Sequence, residues 1–165
     1  MEIESKRLVI GKFTEADIPK WSEIENDPAV RRFIDGKTLS FDESAEYIQK
    51  SILHYSDKGF GRYAVRLKAN GKLIGMCGFL EEEYGVDFGY RYTPSVWKQG
   101  IGFEAARTVL DYGLKKLPIS TFYGIAAEKN YGSIRILEQL GFKFLQKVVF
   151  HNIDAVKYII YKDNI

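Results

Sequence analysis

A glycine-containing turn at positions 97–105 is the segment whose residue types and spacing best suit chemistry. It reads WKQGIGFEA and lies between a predicted strand and a long predicted helix. Gly100 and Gly102 lack a Cβ, so a ligand can approach the backbone closely there. The first turn of a helix also has unpaired N–H groups and a positive dipole end. The segment therefore predicts a phosphate or pyrophosphate site, although two glycines can equally start a helix in a tight turn.

Two other phosphate-binding motifs do not fit this turn. A P-loop needs Gly-Lys-Ser/Thr at the helix start, whereas this chain has Gly102-Phe103-Glu104. A dinucleotide fingerprint, G-x-G-x-x-A, can be matched to Gly100, Gly102 and Ala105. That fingerprint opens a repeated βαβ architecture, but here the preceding strand belongs to a meander and only one further strand–helix unit follows. We therefore set the dinucleotide interpretation aside.

The elements that must position the turn follow from apolar spacing and from capping signals. Ser40 and Glu43 form an S-x-x-E capping box, Asn70-Gly71 predicts a hairpin turn, and Gly141 predicts a helix end. Predicted strands cover 7–13, 62–67, 73–80, 84–92, 121–127, 144–150 and 156–161, and predicted helices surround Trp21 and cover 41–55, 102–117 and 130–140. The order β-α-α-β-β-β-α-β-α-β-β predicts a mixed sheet with helices packed on it, an α/β (α+β) fold.

Composition excludes several classes of protein. The chain has 165 residues, a net charge of +2, one cysteine and two histidines. These values predict a single domain over 1–165, and they argue against nucleic-acid wrapping, an internal disulfide and a cysteine or histidine metal site. We find no secretory signal and no run near the ~18 apolar residues of a membrane span. We expect a cytoplasmic protein with no metal and no nucleic-acid or membrane partner.

The motifs resemble the GNAT family of acetyl-CoA-dependent N-acetyltransferases. The family signature Q/R-x-x-G-x-G/A coincides with WKQGIG at 97–102 in both glycines, but its first position is Trp97. The branch similar to ribosomal-protein N-terminal acetyltransferases often reads G-Y-x-x-x-P-x-x-W-x-x-G-x-A/G-x-E-A. This chain follows that register with Gly89, Tyr90, Pro94, Trp97, Gly100, Gly102, Glu104 and Ala105.

Two further motifs of the same branch extend the resemblance over nearly the whole chain. An opening R-L-x-L/I strand corresponds to 7–10, RLVI. A late N-x-x-S-x-x-x-x-E-x-x-G-F corresponds to Asn130, Ser133, Glu138, Gly141 and Phe142. Several matches in order are far more specific than one pair of glycines. The resemblance implies one GNAT-like domain with the acyl-CoA N-acyltransferase fold.

The resemblance also implies acetyl-CoA as the cosubstrate, bound in a V-shaped opening between parallel strands 84–92 and 121–127. The pyrophosphate would be held at the turn by Gln99, Gly100, Ile101, Gly102, Phe103 and Glu104. The pantetheine arm would pair with the backbone near Phe88, Tyr90, Arg91 and Tyr92. A backbone N–H of Tyr90 or Arg91 would polarise the thioester carbonyl. The acetyl group would pass directly to an amine, without an acyl-enzyme.

Asp87 and Ser133 are the candidate catalytic residues. The amine must lose a proton before it attacks, and a carboxylate or a water that it holds is the usual acceptor. Asp87 stands where the branch often has Glu, but it can equally be an outward-facing strand residue. Ser133 matches a serine near the CoA sulfur, and its alternative is an ordinary serine at a helix start. The tyrosine that many members use as a proton donor to the sulfur corresponds to Leu137, so that mechanism does not carry over.

Other matched residues keep two interpretations. Asn130 matches an asparagine that contacts the pantetheine region, and it is also a favoured N-cap. Glu104 is explained as an acidic residue in a first helical turn, which we prefer to a ligand contact. Trp97 and Tyr90 fit the core better than the acyl or amine cavity. Cys77 fits a small buried residue better than a nucleophile.

The acceptor would be a protein N-terminus or a small-molecule amine, bound against the first two helices. The candidate substrate-binding residues there are Trp21, Phe33, Ile34 and Tyr55. Three acidic residues of this region, Glu23, Glu25 and Asp27, either attract a cationic amine or form a solvated helix face. The family makes a homodimer plausible. A CoA-binding regulator without turnover, favoured by Leu137, and a nucleotide-binding protein are the alternative functions.

Overall fold

The structure is a computed structural model that describes residues 1–164. Within this range, eight strands cover Glu2–Glu4 (β1), Leu8–Lys12 (β2), Arg62–Leu67 (β3), Leu73–Glu82 (β4), Gly85–Tyr92 (β5), Thr121–Ala127 (β6), Lys143–Phe150 (β7) and Ile153–Tyr161 (β8). Five α-helices cover Ile18–Glu25 (α1), Pro28–Arg31 (α2), Phe41–Lys58 (α3), Ile101–Lys116 (α4) and Tyr131–Leu140 (α5). The predicted element order is confirmed, with β1 added before the first predicted strand. The one-turn helix α2 contains Val30, where the spacing of Val30 and Phe33 predicts a further helical turn.

The strands form one sheet in the order β1-β2-β3-β4-β5-β6-β8-β7. All neighbours are antiparallel except β5 and β6, which are parallel. The parallel ladder consists of Val86 opposite Phe122 and Asp87 opposite Tyr123. Beyond these two pairs, the remaining length of β5 no longer pairs with β6 in the part of the chain that the structure describes. The mixed sheet therefore has its opening between the two predicted strands.

Capping interactions set the ends of the helices on both faces. Ser40 Oγ accepts a hydrogen bond from the Glu43 N–H at 3.1 Å, and the Glu43 carboxylate accepts one from the Ser40 N–H at 3.0 Å. This is the predicted capping box at the start of α3. At the other face, α5 ends at Gly141, whose φ of 99° is a conformation that favours glycine.

The sheet separates two groups of buried residues. On β3, Tyr63 and Val65 belong to the cluster beneath α4 and α5, whereas Ala64 belongs to the cluster beneath α1 and α3. This alternation follows the two-residue period of a strand. On β5, Phe88 and Tyr92 likewise join the α4 and α5 cluster. None of the helices among residues 1–164 is long and apolar enough to cross a membrane.

Candidate active site

A cavity opens where the ladder between β5 and β6 stops. One part of it is lined by Ile34, Arg62, Glu82, Tyr84, Asp87, Tyr90, Ser133 and Leu137, among others. A second part is lined by Phe33, Asn130, Ala127 and Ile153, and it shares Ile34, Tyr90, Ile125, Ser133 and Phe150 with the first. Because of the shared walls we treat both parts as one central cavity. It brings together both predicted catalytic residues.

Asp87 lines the central cavity with both of its carboxylate oxygens engaged. Arg62 Nη2 donates to Oδ2 at 2.6 Å, and the Tyr84 hydroxyl donates to Oδ1 at 2.9 Å. Asp87 is only 8% exposed. An outward-facing strand residue is therefore the wrong interpretation of Asp87. The structure nevertheless presents it as a partner in an ion pair rather than as a free carboxylate.

Gly89 makes room for the arginine that holds Asp87, since an added Cβ would lie 2.8 Å from Arg62 Nη1. A Cβ added to Gly78 would instead meet backbone atoms, the Gly61 carbonyl oxygen and Arg62 Cα. Arg62 Nη1 donates to the Gly78 carbonyl at 2.7 Å and to the Asp87 carbonyl at 3.2 Å. The glycine of the Gly89-Tyr90 motif is thus required by packing, because a side chain there would displace the guanidinium.

Glu82 is a residue of the central cavity that sequence reasoning missed. It lies at the end of β4 and is partly buried, and among residues 1–164 its carboxylate has no hydrogen-bond or ion-pair partner. Burial raises its pKa, and the neighbouring carboxylate of Asp87 raises it further. From the sequence alone, the acidic run 81–83 is interpreted as a solvated turn. Only the register, with Leu80 opposite Asp87, places residues 80, 82 and 87 on one face.

Ser133 and Tyr90 form a pair of hydroxyls on the cavity wall. Ser133 Oγ donates to Tyr90 Oη at 3.3 Å, and the Tyr90 hydroxyl donates to the Ser133 carbonyl at 2.7 Å. Burial raises the pKa of the Tyr90 phenol, which is protonated at neutral pH in any case. Asn130 caps α5 by accepting from the Ser133 N–H at 3.3 Å. The N-cap role of Asn130 is confirmed, and Tyr90 lines the cavity instead of serving the core alone.

Leu137 packs against β6 at the position where a donor tyrosine would stand. It is 1% exposed, and a Cβ added to Gly124 would lie 2.7 Å from Leu137 Cδ2. A tyrosine at position 137 would need space that this close approach to the strand removes. The hydroxyls on this wall are those of Tyr90 and Ser133.

The glycine turn presents backbone amides at the N-terminus of α4. Gly100 is the N-cap, with φ 76° and no side chain to cap the helix. The N–H groups of residues 100–103 consequently have no partner within the helix. The amide of Glu104, in contrast, donates to the Gly100 carbonyl at 3.0 Å. That amide is therefore engaged within the helix, and the predicted contact of residues 99–104 with the pyrophosphate stays a prediction.

The Glu104 side chain ties the start of β2 to the glycine turn. Its carboxylate accepts from Ser5 Oγ at 2.6 Å, from the Arg7 N–H at 2.8 Å and from Arg7 Nε at 2.7 Å. Arg7 Nη1 donates in turn to the Gln99 carbonyl at 3.0 Å. Burial alone would raise the pKa of Glu104, but these donors outweigh it and lower the pKa. We name this set of contacts the Arg7–Glu104 clamp.

If the glycine turn binds the acetyl-CoA that the resemblance implies, loosening the Arg7–Glu104 clamp is expected to weaken that binding without slowing the reaction at saturation. Arg7→Met removes two donors that hold the turn, so we expect the KM for acetyl-CoA to rise about tenfold. We expect kcat to stay within about twofold, since the clamp does not reach the central cavity. Steady-state kinetics measures both values. Lys6→Met, at the exposed neighbouring position, is the control, and equal KM values for the two variants would contradict the prediction.

Glu25 is fully buried and serves two arginines. Its carboxylate accepts from Arg91 Nε at 2.6 Å, from Arg91 Nη2 at 3.0 Å and from Arg31 Nη1 at 2.9 Å. Arg31 also contacts Asp35 at 2.9 Å and donates to the Lys37 carbonyl at 2.7 Å. With 0% exposure, Glu25 cannot meet a cationic amine. Neither alternative for Glu25 from the sequence is right, because it is neither solvated nor open to a ligand.

The Glu25 network holds the chain segment that borders the central cavity. Phe33 and Ile34 follow two and three residues after Arg31, and both line the cavity. Their predicted contact with the acceptor stays a prediction. The other acidic residues of this region have local partners, since Glu23 pairs with Lys20 at 2.9 Å and Asp27 caps the Ala29 N–H.

Trp21 and Tyr55 are core residues, and their predicted contact with substrate is wrong. Trp21 is 0% exposed and packs against Phe13, with ring centroids 5.2 Å apart. Tyr55 is 7% exposed and stacks on Tyr63, and its hydroxyl accepts from the Phe13 N–H at 3.1 Å. Helical spacing identified their apolar faces correctly. It does not distinguish a side chain under the helix from one at the rim of a cavity.

Trp97 lies at the surface beside the glycine turn. Trp97 is 44% exposed, so its assignment to the core is wrong, and its indole N–H donates to the Tyr92 carbonyl at 2.9 Å. This bond links the glycine turn to the end of β5.

Cys77 is fully buried, which raises the pKa of its thiol to about 12. Its assignment as a buried residue is confirmed.

Comparison with known proteins identifies a family and related proteins. The profile of the family described as acetyltransferase (GNAT) domain matches residues 7–143. The uncharacterized N-acetyltransferase YnaD of Bacillus subtilis is 24% identical over 145 residues, covering 87% of this chain and 83% of that protein.

Solved structures share the fold at lower identity. RimL, a ribosomal L7/L12 alpha-N-protein acetyltransferase in complex with coenzyme A, has a TM-score of 0.84 at 16% identity, covering 98% of both chains. Spermidine N-acetyltransferase from Vibrio cholerae, in complex with CoA and spermine, has a TM-score of 0.80 at 20% identity, covering 96% of this chain and 98% of that one. Together with the family match, the fold establishes that this chain belongs to the GNAT acetyltransferase family.

Proposed function

We propose that this acetyltransferase uses acetyl-CoA and transfers its acetyl group directly to a primary amine in a ternary complex. One observation carries the proposal: the glycine turn with unpaired amides is hydrogen-bonded to Tyr92 at the end of β5, and the same strand borders the cavity that contains the carboxylates. The turn fits a pyrophosphate, because Gly100 carries no side chain and the amides of residues 100–103 lie at a helix N-terminus.

Different backbone segments of this chain bind different parts of acetyl-CoA. Acetyl-CoA supplies the activated acetyl group, and its sulfur leaves as a thiol. The amides of the glycine turn hold the pyrophosphate, and the part of β5 beyond Asp87 offers its edge to the pantetheine arm. The N–H of Tyr90 or Arg91 on that edge stabilises negative charge on the acetyl oxygen. The side chains of Phe88 and Tyr92 are buried, so those two residues take part through their backbone.

Ser133 and Tyr90 serve the leaving sulfur in this proposal. Both hydroxyls line the central cavity, and their mutual hydrogen bonds orient them. With Leu137 in place of a donor tyrosine, this pair is the source of a proton or a hydrogen bond for the thiolate. Asn130 orients Ser133 through the cap of α5. Its contact with the pantetheine region stays a prediction.

Removing either hydroxyl is expected to lower kcat. We expect Ser133→Ala and Tyr90→Phe each to reduce kcat about tenfold to a hundredfold, because each removes a donor that assists departure of the sulfur. The double variant should be little worse than the poorer single variant, since the two hydroxyls act as one unit. Tyr131→Phe, at a 74% exposed position, is the control. Fully additive losses would contradict a joint role.

The acceptor in this proposal is an amine that is positively charged in solution. Two carboxylates, Glu82 and Asp87, line the cavity, and the named solved relatives act on a ribosomal protein and on spermidine. A protein N-terminus and a small polyamine present the same group to the site, a protonated primary amine. The homodimer and the cytoplasmic location expected from sequence stay predictions.

Two measurements test the proposed function. Isothermal calorimetry with acetyl-CoA comes first, and absence of binding at saturating concentration would reject the proposal. Thiol release is then followed with spermidine and with peptides that have a free N-terminus. Turnover with any of them excludes a regulator without turnover. Competition with ATP and NAD completes the test, because displacement of CoA by either one would favour a nucleotide-binding protein.

A further inference from the structure

We propose that Glu82 is the carboxylate that binds the protonated acceptor amine and takes its proton before attack. This inference rests on the proposed function and assigns a residue to a step that sequence reasoning gave to Asp87. Glu82 lies at the end of β4, at the opposite side of the β4–β5 turn from Asp87, and its side chain lines the same cavity.

The two carboxylates of the cavity differ in their partners. Asp87 has a donor on each oxygen, Arg62 at 2.6 Å and Tyr84 at 2.9 Å. Each oxygen keeps a second lone pair, but uptake of a proton would remove the charge that pairs with Arg62. Glu82 has no such donor among residues 1–164, so its oxygens are available to an ammonium group.

The charges that surround Glu82 favour the binding of a cation. Asp87 and Glu83 are the nearby carboxylates, and Arg62 and His151 are the nearby basic groups. Arg62 is itself paired with Asp87, so within the described part of the chain no basic group contacts the Glu82 carboxylate directly. Burial and the Asp87 carboxylate raise the pKa of Glu82, which makes it a better proton acceptor than an exposed glutamate.

The residues of the Asp87 ion pair have a positioning role in this arrangement. Arg62 lies over Gly78 and Gly89 and joins β3 to β5 through Asp87. Tyr84, in the turn between β4 and β5, is bonded to the same carboxylate. These contacts fix the turn that carries Glu82, so the carboxylate stays at the cavity wall.

The proton balance of the step is complete. An ammonium nitrogen gives one proton to a Glu82 oxygen, and its freed electron pair forms the bond to the acetyl carbon as the carbon–sulfur bond breaks. The nitrogen then loses a second proton, and the departing sulfur gains one through the Ser133 and Tyr90 hydroxyls. Glu82 finally releases its proton to solvent. The products are an amide, a thiol and one proton.

The test compares Glu82→Gln with Glu83→Gln, its exposed neighbour. Thiol release is measured from pH 5 to pH 9 with spermidine and with a peptide that has a free N-terminal serine, and acetyl-CoA affinity is measured by calorimetry. We expect kcat/KM of Glu82→Gln to fall about a hundredfold at pH 7. The wild-type decrease of kcat/KM toward low pH, caused by protonation of Glu82, should disappear from the variant's profile. We expect acetyl-CoA affinity to stay within twofold, and Glu83→Gln to behave as the wild type.

Other results of this experiment would contradict different parts of the proposal. A Glu82→Gln variant with wild-type kcat/KM and pH profile would overturn the role of Glu82 and leave the acetyltransferase activity intact. A variant with low kcat/KM but an unchanged pH profile would also overturn it, because a merely structural residue behaves in that way. Glu82→Asp should restore part of the activity, and its failure to exceed Glu82→Gln would argue for a packing role. Absence of turnover by the wild type with both acceptors would overturn this inference together with the choice of acceptor, whereas absence of acetyl-CoA binding would reject the proposed function itself.

Discussion

Valine at position 100 is expected to abolish measurable coenzyme A binding in a protein that still folds. Gly100 has φ 76°, and a β-branched residue is strongly disfavoured in that conformation. Space is not the obstacle, since the nearest atom to an added Cβ is Arg7 Nη2 at 3.5 Å. The turn must instead change its backbone conformation, which turns the amides of residues 100–103 away from the pyrophosphate. We expect the Kd from calorimetry to rise at least about a hundredfold, or about 3 kcal/mol.

Gly71→Val is the matched control for this variant. Gly71 has φ 72°, and an added Cβ there would meet nothing within 4 Å. The backbone cost of about 1–2 kcal/mol should therefore be similar at both positions, and it should appear in both free energies of unfolding. Only Gly100→Val should lose coenzyme A binding. Normal affinity of Gly100→Val would show that the turn is not the pyrophosphate site.

Glu25→Gln is expected to cause the largest loss of stability among single-charge changes in this protein. The variant leaves Arg31 and Arg91, whose side chains are 7% and 16% exposed, without the charge that both contact. Breaking a buried ion pair on one side costs about 3–5 kcal/mol, so we expect a decrease of about 3 kcal/mol in the free energy of unfolding. Urea denaturation followed by circular dichroism measures it. We also expect KM for the amine to rise, because the network holds Phe33 and Ile34 at the cavity.

Glu23→Gln, two residues earlier on the same helix, provides the comparison. Its side chain is 69% exposed and pairs only with Lys20. The free energy of unfolding should change by no more than about 0.5 kcal/mol. Equal effects of the two substitutions would mean that the buried network contributes no more to stability than a surface ion pair.

Much of the fold could be predicted because its signals are local. The capping box at Ser40, the N-cap at Asn130 and the helix end at Gly141 each depend on residues within one turn. Residues 151–154 are predicted as a turn between two strands, and the structure has a two-residue turn there, at His151 and Asn152, with positive φ values of 50° and 62°. Strand β1 was missed, since its three residues owe their pairing to β2 and not to their own pattern.

The candidate site was harder to predict because its contacts join distant segments. Glu82 follows a strand in a run of three acidic residues, and nothing within that run marks one of them as buried. Its role depends on the register between β4 and β5. The partner of Asp87, Arg62, lies on a different strand, and its guanidinium occupies space that the absence of a side chain at Gly89 provides, a link that the sequence alone does not show. Glu104 was placed in the correct motif, but its contacts with Ser5 and Arg7 span almost a hundred residues.

The short parallel ladder divides the sheet into two antiparallel blocks, β1–β5 and β6–β8–β7. Among residues 1–164, two ladder pairs join the blocks, Val86 with Phe122 and Asp87 with Tyr123. In the proposed binding mode, the pantetheine arm pairs with the remaining length of β5 and acts as a further strand in the gap between the blocks. Coenzyme A bound in this way would be a temporary part of the sheet as well as a reactant.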